Sequence, residues 1–194
     1  MDEQRTMLGF DELNRMFAEL DALKVRLTSG GLNKEDAREM FEDALLDAYV
    51  EGFAFAAYFL GEDDLATDPD KVWDTLEKTY GGVSIREKFD QHFDAGEMGE
   101  LANLIDSEYH RSMEKGGWDA ADSAEQKTGR SVVKVWDATL DDRTRLSHEI
   151  LNGTRVGLRD YFVADDGDRG LYPGDFETAQ QNANCRCIIH YEYQ

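Results

Sequence analysis

The sequence predicts an α+β protein: an N-terminal helical region, then a small C-terminal module of short strands and one short helix. Through the first two-thirds of the chain, apolar residues recur at intervals of three and four, which is typical of amphipathic helices. A β-branched run at 131–136 and an alternating segment at 185–193 indicate strands near the other end. We place the helical region at 1–95 and the module at 96–194.

The first two helices are predicted from an apolar stripe and a helix cap. The stripe contains Phe10, Leu13, Met16, Phe17, Leu20, Leu23 and Leu27, and Gly30-Gly31 ends it. Asn33 can then cap a second helix over about 34–60. The last part of that helix, Phe53–Leu60, is apolar on nearly every side. This pattern indicates burial, either in the core of the protein or against a partner.

Three further helices are predicted before the first strand. Asp68-Pro69 is a favourable helix start, and Gly81-Gly82 ends the helix that follows. Ser84 and Glu87 have the spacing of a capping box for a short fourth helix. The next helix is expected over 98–115, with Gly116-Gly117 as its end.

The C-terminal module is predicted as a strand, a short helix, a long loop and a closing strand within 129–194. Asp141-Asp142 is expected to cap the short helix over about 143–151. The segment 154–184 has the composition of a loop, and a loop of that length is usually functional. The closing strand is expected over Cys185–Tyr193.

The composition excludes several classes of protein. The chain has 42 acidic and 21 basic residues, a formal net charge of −21, which argues against direct binding to nucleic acid phosphates. The longest apolar run, Gly52–Leu60, is too short to cross a membrane, and the charged N-terminus lacks the apolar core of a signal peptide. We therefore expect a soluble protein made in a reducing cytoplasm.

The two cysteines, Cys185 and Cys187, are the first candidates for chemistry. They are one residue apart, so an ordinary disulfide between them would be badly strained. In a strand both thiols point to one face, together with Ile189 and Tyr191. This pattern favours either core packing or half of a metal site.

A zinc site can be built from these two cysteines and His148. Zinc prefers thiolate and imidazole ligands in a tetrahedron, and Asp141, Asp142 or a water could supply the fourth ligand. Structural zinc sites usually leave two to four residues between paired cysteines, whereas this pair has one between them. Core packing therefore stays open as the alternative.

The segment around His148 is rich in charged side chains. Arg145 and His148 are three residues apart, so they share one face of the predicted helix, and Asp142 and Arg143 lie at its start. A capped helix with one hydrogen-bonded histidine explains this pattern. The alternative is an enzyme in which Glu108, Arg145 and His148 converge in an open cleft.

An ordered set of residues resembles the phage Mu F-like family of minor head, or head-morphogenesis, proteins of tailed phages. The set is Trp136, Asp142-Arg143-Thr144-Arg145, His148, Asn152-Gly153, Phe162, Pro173 and Asn184-Cys185-Arg186-Cys187. The resemblance covers roughly residues 100–194. An Arg-Thr-Glu-like triplet of the family corresponds here to Asp106-Ser107-Glu108, which keeps the glutamate and lacks the arginine.

The resemblance implies a virion structural protein rather than an enzyme. Such a protein acts near the portal vertex of the phage head, in head assembly, DNA packaging or ejection, with portal protein or major capsid protein as its partners. A polar cluster is expected to hold the module together, with or without zinc: Glu108, Asp142, Arg143, Arg145, Asn184 and Arg186. The alternative is a phage-encoded enzyme or zinc-dependent module that uses Glu108, Arg145, His148 and the two cysteines.

Overall fold

Two long helices run through the fold, and short strands and helices pack against them. The computed structural model describes residue 15 and residues 18–194, so Phe10, Leu13, Met16 and Phe17 of the predicted first stripe lie outside the described residues. The helices are α1 (18–28), α2 (Lys34–Leu60), α3 (Pro69–Asp74), α4 (Ile85–Ala95), α5 (Met98–Thr128), α6 (Leu146–Leu151) and α7 (Ala179–Asn182). The strands are β1 (Thr79–Tyr80), β2 (Val83–Ser84), β3 (Val132–Asp137), β4 (Arg155–Gly157), β5 (Phe162–Val163), β6 (Arg169–Gly170) and β7 (Ile188–Tyr193). The predicted α+β class is confirmed.

The helix caps follow the sequence closely. Asn33 accepts a hydrogen bond from the Asp36 N–H at the start of α2, and Asp68 does the same for Asp70 at the start of α3. Ser84 and Glu87 form the predicted capping box of α4. These signals depend on neighbouring residues alone, which explains why they could be found without a structure.

The helix predicted to run from Asp68-Pro69 to the glycines at 81–82 is wrong in its length. Helix α3 ends at Asp74, and a 3-10 turn at Thr75–Glu77 leads into the hairpin β1–β2. Gly81 and Gly82 have φ angles of +61° and +82°, which the tight turn of this hairpin requires. The glycines therefore reverse the chain rather than end a helix.

The end predicted for the next helix, Lys115, is also wrong, because α5 continues to Thr128. Gly116 lies where α5 crosses α2. A Cβ atom there would overlap the backbone carbonyl oxygen of Tyr49 and lie 2.9 Å from the amide nitrogen of Phe53. A Cβ atom on Gly52 of α2 would overlap the backbone carbonyl of Met113 in the same way. The two glycines thus permit a close helix crossing, and the fit between the helices outweighs the low helix propensity of glycine.

The C-terminal strands form a three-stranded antiparallel sheet in the order β4-β3-β7 and a separate hairpin, β5–β6. The register of β3 with β7 pairs Val132 with Tyr193 and Asp137 with Ile188. The segment 154–184, interpreted from the sequence as a loop, therefore contains three strands and helix α7. These strands are two or three residues long, too short to show a period of two.

The buried residues form two clusters, one on each side of the α2–α5 crossing. The first surrounds Trp136, Phe162 and Phe176 in the C-terminal module, and the second surrounds Phe41 and Phe89. The apolar end of α2 takes part in the first cluster through Phe53, Ala56, Ala57 and Leu60, whereas Phe55, Tyr58 and Phe59 are half-buried. No helix in the described part of the chain has the length and apolar character needed to span a bilayer.

Lys134 of β3 is fully buried, and sequence reasoning missed it. Its Nζ donates hydrogen bonds to the carbonyl oxygens of Asp160 (2.8 Å) and Leu171 (2.7 Å). The ammonium also lies 5.1 Å from the centroid of the Phe162 ring. Burial lowers the pKa of Lys134 to about 8, because an apolar surrounding disfavours the charged form.

The free energy of unfolding of the wild-type protein is expected to rise, relative to Lys134→Met, as pH increases above about 8. In this range the unfolded chain keeps the lysine proton that the folded chain releases, so deprotonation favours the folded state. The gain should reach about 3 kcal/mol near the unfolded-state pKa of about 10.4. Urea unfolding of both proteins at about pH 7 and about pH 10 measures it. If the difference in free energy of unfolding between wild type and Lys134→Met does not change with pH, Lys134 is not a buried lysine with a lowered pKa.

Candidate metal centre

The three proposed metal ligands come from two segments that the C-terminal module holds together. His148 lies in the short helix α6, and the cysteines lie in the extended segment between α7 and β7. The Cys185 N–H donates to the Asn182 carbonyl (3.2 Å), and the Thr139 hydroxyl donates to the Arg186 carbonyl (2.8 Å). This anchoring turns both thiols inward. The strand expected from Cys185 begins only at Ile188, but the alternation of buried and half-buried side chains extends back to Cys185.

The ligand atoms of the three residues converge at one point. Nδ1 of His148 lies 3.4 Å from Sγ of Cys185 and 3.5 Å from Sγ of Cys187. All three ligand atoms lie within 4.8 Å of one another, and all three side chains are buried. In the described part of the chain, this is the one group of three or more His, Cys, Asp or Glu side chains with such spacing.

Aromatic rings surround the imidazole. The ring centroid of His148 lies 5.2 Å from that of Trp136, edge to face, and 5.8 Å from that of Phe176, stacked. Its second nitrogen, Nε2, is buried and has no hydrogen-bond partner among the described residues. The polar contacts of the ring are therefore confined to the two sulfur atoms.

The pKa values of the two thiols are shifted in opposite directions. A hydrogen bond from Cys185 lowers the pKa of Cys187, and the neighbouring His148 ring lowers it further. The same hydrogen bond, together with burial, raises the pKa of Cys185 well above its usual range. Cys187 therefore acquires thiolate character first, and thiolate is the form that binds metals.

Asp141 does not cap α6, and it is not free to act as a metal ligand. Helix α6 begins at Leu146 with Arg145 at the N-cap position, so the predicted cap at Asp141-Asp142 is wrong. The Asp141 carboxylate instead accepts two hydrogen bonds from Arg186, at 2.6 and 2.7 Å. These bonds lower the pKa of Asp141 below its usual range. Asp142, the other carboxylate considered as a ligand, is exposed.

Four members of the predicted polar cluster line one cleft beside the cysteines. Arg143, Arg145, Asn184 and Arg186 border this cleft, which has a volume of about 660 Å³ and also includes Lys24 and His110. Arg145 donates a hydrogen bond to the Ala183 carbonyl oxygen. Asn184 has a φ angle of +53°, a left-handed conformation that asparagine tolerates better than most residues, and it turns the chain before Cys185.

Glu108 belongs to a different, buried network. It pairs with Arg111 (Nε to Oε2, 2.7 Å) and accepts a hydrogen bond from the Tyr80 hydroxyl (2.7 Å). Arg111 also donates to the carbonyl oxygen of Thr75 (2.7 Å), which ties α5 to the segment before β1. Sequence reasoning missed Arg111, although its position three residues after Glu108 on a helix was a usable signal.

Two more buried residues of α5, His110 and Glu114, were also missed. The His110 ring faces the backbone of Cys187, the Glu114 carboxyl faces the backbone of Ile189, and His110 Nε2 lies 3.8 Å from the Glu114 carboxyl. Burial lowers the pKa of His110 to about 4 and raises that of Glu114 well above its usual range. His110 is therefore neutral near pH 7, burial favours the neutral form of Glu114, and both side chains lie between α5 and the start of β7.

Of the three residues of the enzyme alternative, Arg145 and His148 border one small cavity, and Glu108 is not among the residues that line it. Among the described residues, no hydrogen bond or ion pair joins any two of Glu108, Arg145 and His148. Glu108 and His148 are both buried, in separate networks. The arrangement around His148 can hold a thiophilic metal ion.

Comparisons with known proteins point to one family. A family model described as "Phage Mu protein F like protein" matches residues 70–190. This match begins about 30 residues before the segment, roughly 100–194, in which the sequence shows the resemblance. The chain is 34% identical over 85 residues to minor head protein GP7 of Bacillus phage SPP1, an alignment covering 44% of this chain and 27% of that protein. No solved structure matches it significantly.

A second relative has a different description. The chain is 34% identical over 62 residues to NAD(+)--arginine ADP-ribosyltransferase EFV of Enterococcus faecalis. This alignment covers 32% of the chain and 12% of that enzyme. The chain thus spans a small part of both curated relatives.

Proposed function

Because the chain belongs to the phage Mu protein F-like family of head proteins, we propose that it is a minor head protein that acts with the portal protein of a tailed phage. Its role would lie in head assembly, DNA packaging or ejection, at the portal vertex. The observation that carries this proposal is the family match over 70–190, which contains the whole cluster around His148.

The charge of the chain supports a place beside packaged DNA. A protein with a net charge of −21 repels DNA phosphates, so it would not adhere to the genome that passes the portal. The same charge favours a protein partner whose contact surface is basic.

We assign the portal contact to a groove between α2 and the edge of β7 that does not pair with β3. The groove has a volume of about 400 Å³, and Phe55, Phe59 and residues 189–193 are among the residues that line it. Strand β7 is the last strand of the sheet, and the Gln194 N–H donates to the Ser131 carbonyl on the β3 side. By alternation, the amides of Tyr191 and Tyr193 point away from β3 toward this groove.

The occupant that fits this groove is an extended, apolar segment of the portal protein with basic flanking residues. An extended segment can pair with an exposed strand edge through backbone hydrogen bonds and place alternate side chains against the aromatic rings. No hydrogen bond from the outward amides of Tyr191 and Tyr193 to another part of the described chain competes for this edge. The net charge of −21 complements a basic flank.

Capture of portal protein by the tagged chain tests the proposal. The wild-type protein should retain portal protein, and Phe59→Glu should weaken retention at least about tenfold, because a charge enters the apolar groove. Val50→Glu is the matched control, since Val50 is an exposed apolar residue of the same helix and does not line the groove. Thermal unfolding confirms that both variants are folded.

The possible outcomes test portal binding and the assigned groove separately. Equal capture by wild type and Phe59→Glu would overturn the assignment of the groove and leave the portal as partner. Failure of the wild-type chain to capture portal protein would overturn the portal proposal itself.

A further inference from the structure

We infer that His148, Cys185 and Cys187 bind one zinc ion in a tetrahedral site with three protein ligands and a fourth position open to water. This inference does not depend on the portal proposal, because it rests on three buried side chains and their distances.

The distances agree with zinc coordination. Zinc binds imidazole nitrogen at about 2.0–2.1 Å and thiolate sulfur at about 2.3 Å, so a tetrahedral angle separates nitrogen from sulfur by about 3.5 Å. The observed separations from His148 Nδ1 are 3.4 Å to Cys185 and 3.5 Å to Cys187. Both nitrogen–sulfur separations thus match edges of such a tetrahedron, and the three ligand atoms lie within 4.8 Å of one another.

A hydrogen-bonded arrangement without metal explains this convergence less well. The single N–H of Nδ1 can point well at one sulfur only, yet both sulfurs lie at nearly the same distance. One ion between the three atoms uses a lone pair of the nitrogen and both thiolates at once. Two thiolates and an imidazole also favour zinc over magnesium or calcium, which prefer oxygen ligands.

A small cavity beside the three ligand residues gives room for the fourth ligand. The cavity, of about 10 Å³, is bordered by the three ligand residues and by Thr139, Thr144 and Arg145, among others. That volume suits about one water molecule. Asp141 cannot turn toward the ion without breaking its paired hydrogen bonds to Arg186.

Such an ion would connect two segments that are far apart in the sequence. His148 precedes the cysteines by 37 and 39 residues, and strands β4, β5 and β6 lie between them. The ion would therefore fix the ends of the intervening segment and stabilise the module, as structural zinc does in small domains.

Metal analysis of the full chain, purified under reducing conditions from zinc-supplemented cells, tests the inference. The wild-type protein should contain one zinc per chain, and His148→Gln and Cys187→Ser should fall to background. His190→Gln is the matched control, because His190 is a half-exposed histidine that pairs with Asp137 outside the site, and it should keep its zinc.

A variant that fails to fold could lose zinc for that reason alone, so a second measurement uses only the wild-type chain. Cobalt added to the metal-free protein should produce the intense visible absorption of a tetrahedral ion, together with a sulfur-to-cobalt charge-transfer band. Background zinc and no such spectrum would overturn the inference. Equal zinc in wild type and His148→Gln would also overturn it.

Discussion

Gly116→Ala is expected to prevent the native packing of α5 against α2. The added methyl would overlap the backbone carbonyl of Tyr49, and a helix backbone cannot move aside as a flexible side chain can. The helices must separate, which we expect to lower the free energy of unfolding by more than about 3 kcal/mol. The helix propensity gained by alanine, about 1 kcal/mol, offsets only part of this loss. Urea unfolding measures the difference.

The same helix provides a control. Gly99 of α5 has open space around its Cβ position, so Gly99→Ala should stabilise the protein by up to about 1 kcal/mol. Opposite signs for two identical substitutions in one helix would establish the close crossing. A Gly116→Ala protein as stable as the wild type would show that the helices do not approach this closely.

Glu108→Ala is expected to lower the free energy of unfolding by about 3–5 kcal/mol. The substitution removes the carboxylate that pairs with Arg111 and leaves a buried guanidinium without its counter-charge. It also leaves the Tyr80 hydroxyl without its acceptor. Thermal or urea unfolding measures the loss, which should be accompanied by loosening of the β1–β2 hairpin.

Glu100→Ala serves as the control for this variant. Glu100 is an exposed residue in the first turn of α5, where replacement should change stability by less than about 1 kcal/mol. Equal, small effects of the two substitutions would contradict the buried ion pair. Zinc content should be unchanged in both, because Glu108 does not contact the cluster around His148.

Local signals made much of the N-terminal fold predictable. Asn33, Asp68 and Ser84 cap the helices that follow them, and each depends on residues within one turn. Gly116 was misinterpreted because its role depends on a helix more than fifty residues away in the sequence. A glycine pair within a long helix looks like a helix end until the partner helix is known.

The candidate site was predictable only in part. Alternation along 185–193 placed both cysteines on one buried face, which the structure confirms. His148 was chosen by residue type, and only the fold could bring it to the sulfur atoms. Glu108 was assigned to the wrong group of residues, because the sequence does not reveal that Arg111 turns toward it.

Strand pairing in the C-terminal sheet has a consequence for the order of folding. Strands β3 and β4 pair across 20 to 24 residues, whereas β3 and β7 pair across 51 to 61. Closing the longer loop costs more chain entropy, so the β3–β4 hairpin should form first and β7 should join it later. Because the cysteines lie just before β7, they reach His148 only in that last step. Binding of the proposed zinc ion should therefore report the completion of folding, and its rate should follow the slowest folding phase.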